Sequence, residues 1–170
     1  MDQDILALYG TSFSAKLYLL TAEGTLPLRL SRSSDKFDWG FEPQDDWLQA
    51  GGDTDSPSMR FAFRFATSDR LHYEITLPGP PRDASGIPSR KKLGVSRNGY
   101  LGFYWVAEVT DDWKLEPLQR TADGLVCYLR DHRGYRVGLL EDTPHNSGHR
   151  VFLLNVEDGE PCPFLLKLTR

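Results

Sequence analysis

Short apolar or alternating runs recur along the chain, cut by glycine, proline, aspartate, asparagine and serine. The runs Ala15 to Leu20, Leu26 to Leu30, Met59 to Thr67, Leu71 to Leu77, Tyr100 to Val106, Tyr135 to Leu140 and Arg150 to Val156 are rich in Tyr, Phe, Leu and Val. That composition between turn residues predicts strands. Phe61, Phe63 and Phe65 alternate with Ala62, Arg64 and Ala66, which predicts three rings on one strand face. Amphipathic helical periodicity is nearly absent; Asp45 to Gln49 has helical potential but runs at once into Gly51-Gly52. Many short strands at this spacing predict a single all-β domain, a sandwich or a barrel.

Glycines close comparable segments. Tyr18 to Gly24, Leu93 to Gly99 and Tyr128 to Gly134 each end in a polar turn and a glycine, and each is followed at once by another strand-like run. Strand, turn, glycine, strand predicts a hairpin. Phe152 to Gly159, leading into Phe164 to Leu166, reads as a fourth copy, and Arg60 to Leu77 as a further hairpin turning at Thr67-Ser68-Asp69. Two units carry a second matching block: Asp38-Trp39-Gly40-Phe41-Glu42-Pro43 and Asp112-Trp113-Lys114-Leu115-Glu116-Pro117. Agreement in both blocks predicts a repeated supersecondary unit, with the paired tryptophans filling equivalent core positions.

A strand, glycine turn, strand and tryptophan strand in series resembles the repeat of β-trefoil proteins such as ricin-B-type lectins and fascin-like domains. Residues 92–140 carry the resemblance best. It implies a β-trefoil-like domain, and it implies saccharide ligands if lectin-like or protein partners if fascin-like. The lectins' Gln-x-Trp is absent, since Asp111-Asp112 precede Trp113 and Phe37-Asp38 precede Trp39. The matched blocks lie 74 to 75 positions apart. The Pro/Gly-rich segment 78–92 is then either an insertion in a trefoil or an internal boundary in a duplicated sandwich or barrel.

Composition narrows the function classes. With 39% hydrophobic and 26% charged residues in 170, the chain is long enough for a core without cross-links. A net charge of -4 with scattered basic residues predicts no nucleic-acid and no membrane partner. The start, Met1-Asp2-Gln3-Asp4, is acidic and followed only by the short apolar run Ile5 to Tyr9, which is not a signal peptide pattern. No apolar run approaches the roughly 20 residues that span a bilayer. The default expectation is cytoplasmic, with signal-independent export left open. Cys127 and Cys162 each sit in an apolar stretch and are expected as small buried side chains.

Catalytic and cofactor patterns are missing. There is no Gly-x-Ser-x-Gly, phosphate-binding glycine loop or dinucleotide fingerprint, and no cofactor is expected. His145 and His149 lie in a Pro/Gly loop, and Asp53-Thr54-Asp55 names too few ligands for calcium; no metal is expected. Glu42, Glu108 and Glu116 are the carboxylates considered for a hydrolase dyad. The most usable signal is aromatic: Trp47 in an acidic, loop-like setting beside Asp45 and Asp46, and Tyr104-Trp105 in a strand apolar on both faces. Aromatic faces beside carboxylates suit sugar recognition, and the same residues suit a protein interface. The expectation is a non-enzymatic binding module for a carbohydrate, with Asp45, Asp46, Trp47, Tyr104 and Trp105 as its ligand residues. The alternatives are a protein-interaction module (an inhibitor or an assembly subunit) and a hydrolase.

Overall fold

A computed structural model describes residues 1–31, 47–79, 90–105, 112–142 and 151–169. The one helix among them, α1 (Gln3–Tyr9), was not expected from the sequence pattern. Asp2 caps it, its carboxylate accepting a hydrogen bond from Asp4 N at 2.8 Å. Seven residues make no stable helix alone in water, so packing supplies the rest. Ile5 and Tyr9, four positions apart, are buried in the core, and the Tyr73 hydroxyl donates to Tyr9 O.

The strands are β1 (Phe13–Thr21), β2 (Gly24–Leu30), β3 (Leu48–Gly51), β4 (Met59–Ala66), β5 (Leu71–Thr76), β6 (Lys92–Val95) and β7 (Leu101–Tyr104). They continue with β8 (Trp113–Thr121), β9 (Gly124–Arg130), β10 (Gly138–Asp142), β11 (Val151–Asn155), β12 (Glu160–Pro161) and β13 (Phe164–Leu168). All pairings are antiparallel, and the all-β expectation holds.

Six strands close on themselves. β1 pairs with β4, β4 with β5, β5 with β8, β8 with β9, β9 with β13, and β13 with β1. Closure removes the edges that would otherwise invite pairing with another chain. Side-chain alternation fills the ring. Ala15, Leu17 and Leu19 of β1 and Leu125, Cys127 and Leu129 of β9 are fully buried, whereas their neighbours stay partly exposed. Each buried leucine contributes about 1.5–3 kcal/mol. Trp113 is buried among them, and its indole donates to Leu93 O at 2.8 Å.

Three further strand pairs, β2–β3, β6–β7 and β10–β11, lie outside the ring, each between two ring strands in sequence. They also meet one another. β3 pairs with β11, Trp47 bridges Gly102, and Tyr100 bridges Asn155. These contacts overturn the helical reading of 45–49 where it is described, because residues 48–51 are locked between two strands.

The glycine hairpins are found at Gly24, Gly99 and Gly134 and in the β4–β5 turn. Two share one geometry. Ser96 N donates to Tyr100 O at 2.7 Å and Gly99 N to Ser96 O at 3.0 Å, while Asp131 N donates to Tyr135 O and Gly134 N to Asp131 O, both at 3.0 Å. In each the first side chain accepts from the tyrosine N–H, and the glycine holds φ +81° or +95°, which only glycine adopts at little cost. The fourth copy differs: β11 pairs with β10 and β3, and the strand after Gly159 pairs with β10 instead. The turns at Gly24 and Gly99 differ in what they connect, one joining β1 to β2 and the other β6 to β7, and the Asp38–Pro43 block with Trp39 lies outside the described residues.

The phenylalanine row also breaks. Register shifts between Phe63 and Phe65, and a bulge of one residue turns the following side chain to the other face. Phe61 and Phe63 pack edge-on against Tyr73, while Phe65 is 49% exposed and stacks on His72. Among the described residues no helix is long and apolar enough to cross a membrane.

Candidate functional site

The predicted aromatic residues meet where the three outer hairpins converge. Trp47 carries its backbone into the bridge with Gly102 and accepts a hydrogen bond from Ser31 N at 2.8 Å, so it is not in a loop. Its ring is only 4% exposed and stacks on Tyr100, centroids 4.5 Å apart and planes at 15°. Tyr104 and Leu140 pack on the same group, with Leu153 buried beneath. Burial pushes the Tyr104 phenol above its ordinary value, and hydrogen bonds with Ser96 and Trp47 oppose that shift. Trp47 and Tyr104 are thus brought together, but as packing that ties β3 to β7. Trp105 is not part of this packed group. It is 56% exposed just past β7, with Lys91 Nζ 5.3 Å above its ring. Asp45 and Asp46 lie outside the described residues.

A concave surface lies elsewhere, at residues the sequence pattern does not single out. β2 pairs with β3 only from Leu28↔Ala50 onward, and among the described residues, 24–27 pair with β1 alone. β3 turns away at Gly51 and Gly52, whose φ values of +108° and +87° no other residue adopts easily. A Cβ on Gly52 would also come within 2.9 Å of the Arg29 side chain. The divergence opens a cleft of about 450 Å³ lined by Thr21, Glu23, Thr25, Leu26, the glycines and Phe152. That volume falls in the range of small-molecule sites. Thr21 Oγ1 donates to Gly24 O at 3.1 Å, which fixes the hairpin tip. Glu23 has no hydrogen-bond or ion-pair partner among the described residues.

The remaining candidates are occupied or lie out of view. Asp55 accepts hydrogen bonds from Lys16 Nζ at 2.5 Å, Tyr18 Oη at 2.8 Å and Ser56 N at 2.8 Å. Those bonds, Lys16's first, hold its carboxyl below the usual range. A carboxylate so engaged is a poor cation ligand, and no group of three metal-ligating side chains occurs among the described residues. Glu116 is clamped by Arg130 Nε at 2.6 Å and by Arg136 at 3.1 and 3.2 Å. Its partner is a pair of guanidiniums instead of a second carboxylate, and its carboxyl is pushed down to about 2. Glu42, Glu108, His145 and His149 lie outside the described residues. Cys127 and Cys162 are buried free thiols, as expected, both raised to about 12 by desolvation.

The chain matches no protein-family model, no curated protein and no solved structure. What the cleft can do chemically therefore rests on its own groups. Leu26 with the small exposed part of Phe152, two hydroxyls, a carboxylate and glycine backbone offer one apolar wall and several hydrogen-bonding partners for a small polar ligand.

Proposed function

We propose that this chain is a non-enzymatic binding domain of β-trefoil architecture, and that the cleft between the β1–β2 tip and Gly51–Gly52 takes a saccharide. The closed six-strand ring with three outer hairpins, each set between two ring strands, supports the trefoil reading over a duplicated sandwich. The observation that carries the ligand reading is the unpaired Glu23 carboxylate beside Thr21, Thr25 and Phe152 in a cleft of about 450 Å³. A sugar hydroxyl donates to such a carboxylate, and its C–H face packs on the apolar wall formed by Leu26 and the small exposed part of Phe152. The Glu116 carboxylate, held by two arginines, favours binding over hydrolysis.

A broad glycan array tests this, run with the wild-type chain beside Glu23→Gln and Trp105→Ala. Specific binding lost in Glu23→Gln and kept in Trp105→Ala is the expected pattern. A blank array, or binding unaffected by Glu23→Gln, rejects the saccharide reading at this cleft.

A protein partner is the second reading, favoured by one observation. Two exposed rings each carry a cation: Trp105 with Lys91 at 5.3 Å, and Tyr135 (55% exposed) with Arg133 at 4.8 Å. Aromatic and arginine side chains dominate protein interfaces. Under this reading sugars are ignored and Trp105→Ala, not Glu23→Gln, abolishes capture of a defined partner.

A further inference from the structure

A second pocket has a different chemistry. Ser14, Arg60 and Thr76 stand directly opposite one another on the adjacent strands β1, β4 and β5. Residues paired in this way across a sheet project from the same face. The neighbouring Ala15, Met59, Phe61 and Ile75 are buried, which places the row on the outer face of the ring. The row floors a pocket of about 140 Å³, walled by Ser58, Gly79 and Arg90, with Met59, Leu77 and Pro78 completing the lining. A molecule of liquid water occupies about 30 Å³, so this space suits one compact group and is too small for a sugar ring.

The charged side chains that line the pocket among the described residues are both arginines. Arg90 Nε donates to Gly79 O at 2.6 Å, which fixes the guanidinium while leaving its two terminal nitrogens without a partner among the described residues. Arg60 has no hydrogen-bond or ion-pair partner among them. Ser58 Oγ shares a hydrogen bond with Thr169 Oγ1 at 3.0 Å, which keeps that hydroxyl at the wall. No carboxylate lines the pocket among the described residues, although the chain as a whole carries a net charge of -4. Two arginines without anionic partners, with hydroxyls between them, match a tetrahedral oxyanion, which accepts charge-assisted hydrogen bonds on several oxygens at once.

We propose that the pocket between Arg60 and Arg90 is a binding site for a phosphate or sulfate group. It is independent of the saccharide cleft: none of its lining residues is shared with that site. The group arrives as the free inorganic ion or as a phosphate or sulfate monoester.

The test is a titration of the ¹⁵N-labelled chain with inorganic phosphate, inorganic sulfate, phenyl phosphate and phenyl sulfate, followed through backbone amide shifts. Saturable shifts at Ser14, Arg60, Thr76 and Gly79 are expected, weakened by rising chloride. Arg60→Gln and Arg90→Gln each weaken binding at least about tenfold. Both side chains are solvent-exposed, and retained amide dispersion confirms that the variants are folded. Tighter binding of one phenyl ester assigns the site to that ester, and equal binding of the inorganic ions assigns it to the free ion. Absence of saturable shifts with all four anions, or shifts unchanged in both variants, overturns the proposal.

Discussion

Trp47 and Tyr100 stack with ring centroids 4.5 Å apart and planes only 15° from parallel, joining two hairpins that are far apart in sequence. Both rings sit where the outer hairpins touch, and Trp47 is 4% exposed. Trp47→Ala is therefore expected to act on stability. A loss of about 3–5 kcal/mol, typical for truncating a buried aromatic, should appear as a lower urea midpoint at unchanged slope. An unaffected midpoint contradicts the packing role.

Glu116 gives the fold a defined acid response. Its pKa falls from 4.5 to about 2 because Arg130 first, and then Arg136, hydrogen-bond the carboxylate. A depressed folded-state value stabilises the native chain above the unfolded pKa, and that stability is lost as pH falls from about 4.5 toward 2. Glu116→Gln should flatten the stability profile across that window and lower stability at pH 7. Urea titrations of both chains at pH 7, 4.5 and 3 measure the difference.

The two thiols are expected to be inert in the native chain. Cys127 is fully buried and Cys162 nearly so, and desolvation raises both to about 12, so neither carries appreciable thiolate near pH 7. A thiol reagent such as Ellman's should label neither under native conditions and both in denaturant. Rapid native labelling of either refutes the assignment.

Phe65 has a structural reason for its exposure. Its ring stacks on His72 at 4.1 Å and 19°, while His72 Nδ1 lies 3.0 Å from an Asp112 carboxylate oxygen. Phe65→Ala should cost about 1 kcal/mol. It should also open His72 to solvent, seen as a shift of the imidazole resonances that Phe65→Leu largely spares.

Most strands were legible because one face of each is buried, so period-2 alternation survives in the residues, as at Ala15, Leu17 and Leu19. The Ser96–Tyr100 and Asp131–Tyr135 turns were legible because their glycines answer a local demand. Matching those turns did not reveal the architecture, since equal turn geometry serves different connections. The α1 helix was missed because two inward side chains, Ile5 and Tyr9, give too weak a period. The cleft was missed because it arises from where β2 and β3 part, and no single segment encodes that divergence. Trp47 was singled out for its acidic neighbours, yet long-range partners on β7 and β11 decide its burial.

The most direct test of the binding-domain account is an amide-shift titration of the ¹⁵N-labelled chain with a panel of neutral monosaccharides, repeated on Glu23→Gln. The account predicts saturable shifts confined to residues 21–26 and 51–52, abolished in the variant. Shifts that appear only around Lys91 and Trp105, or none at any sugar concentration, would contradict it.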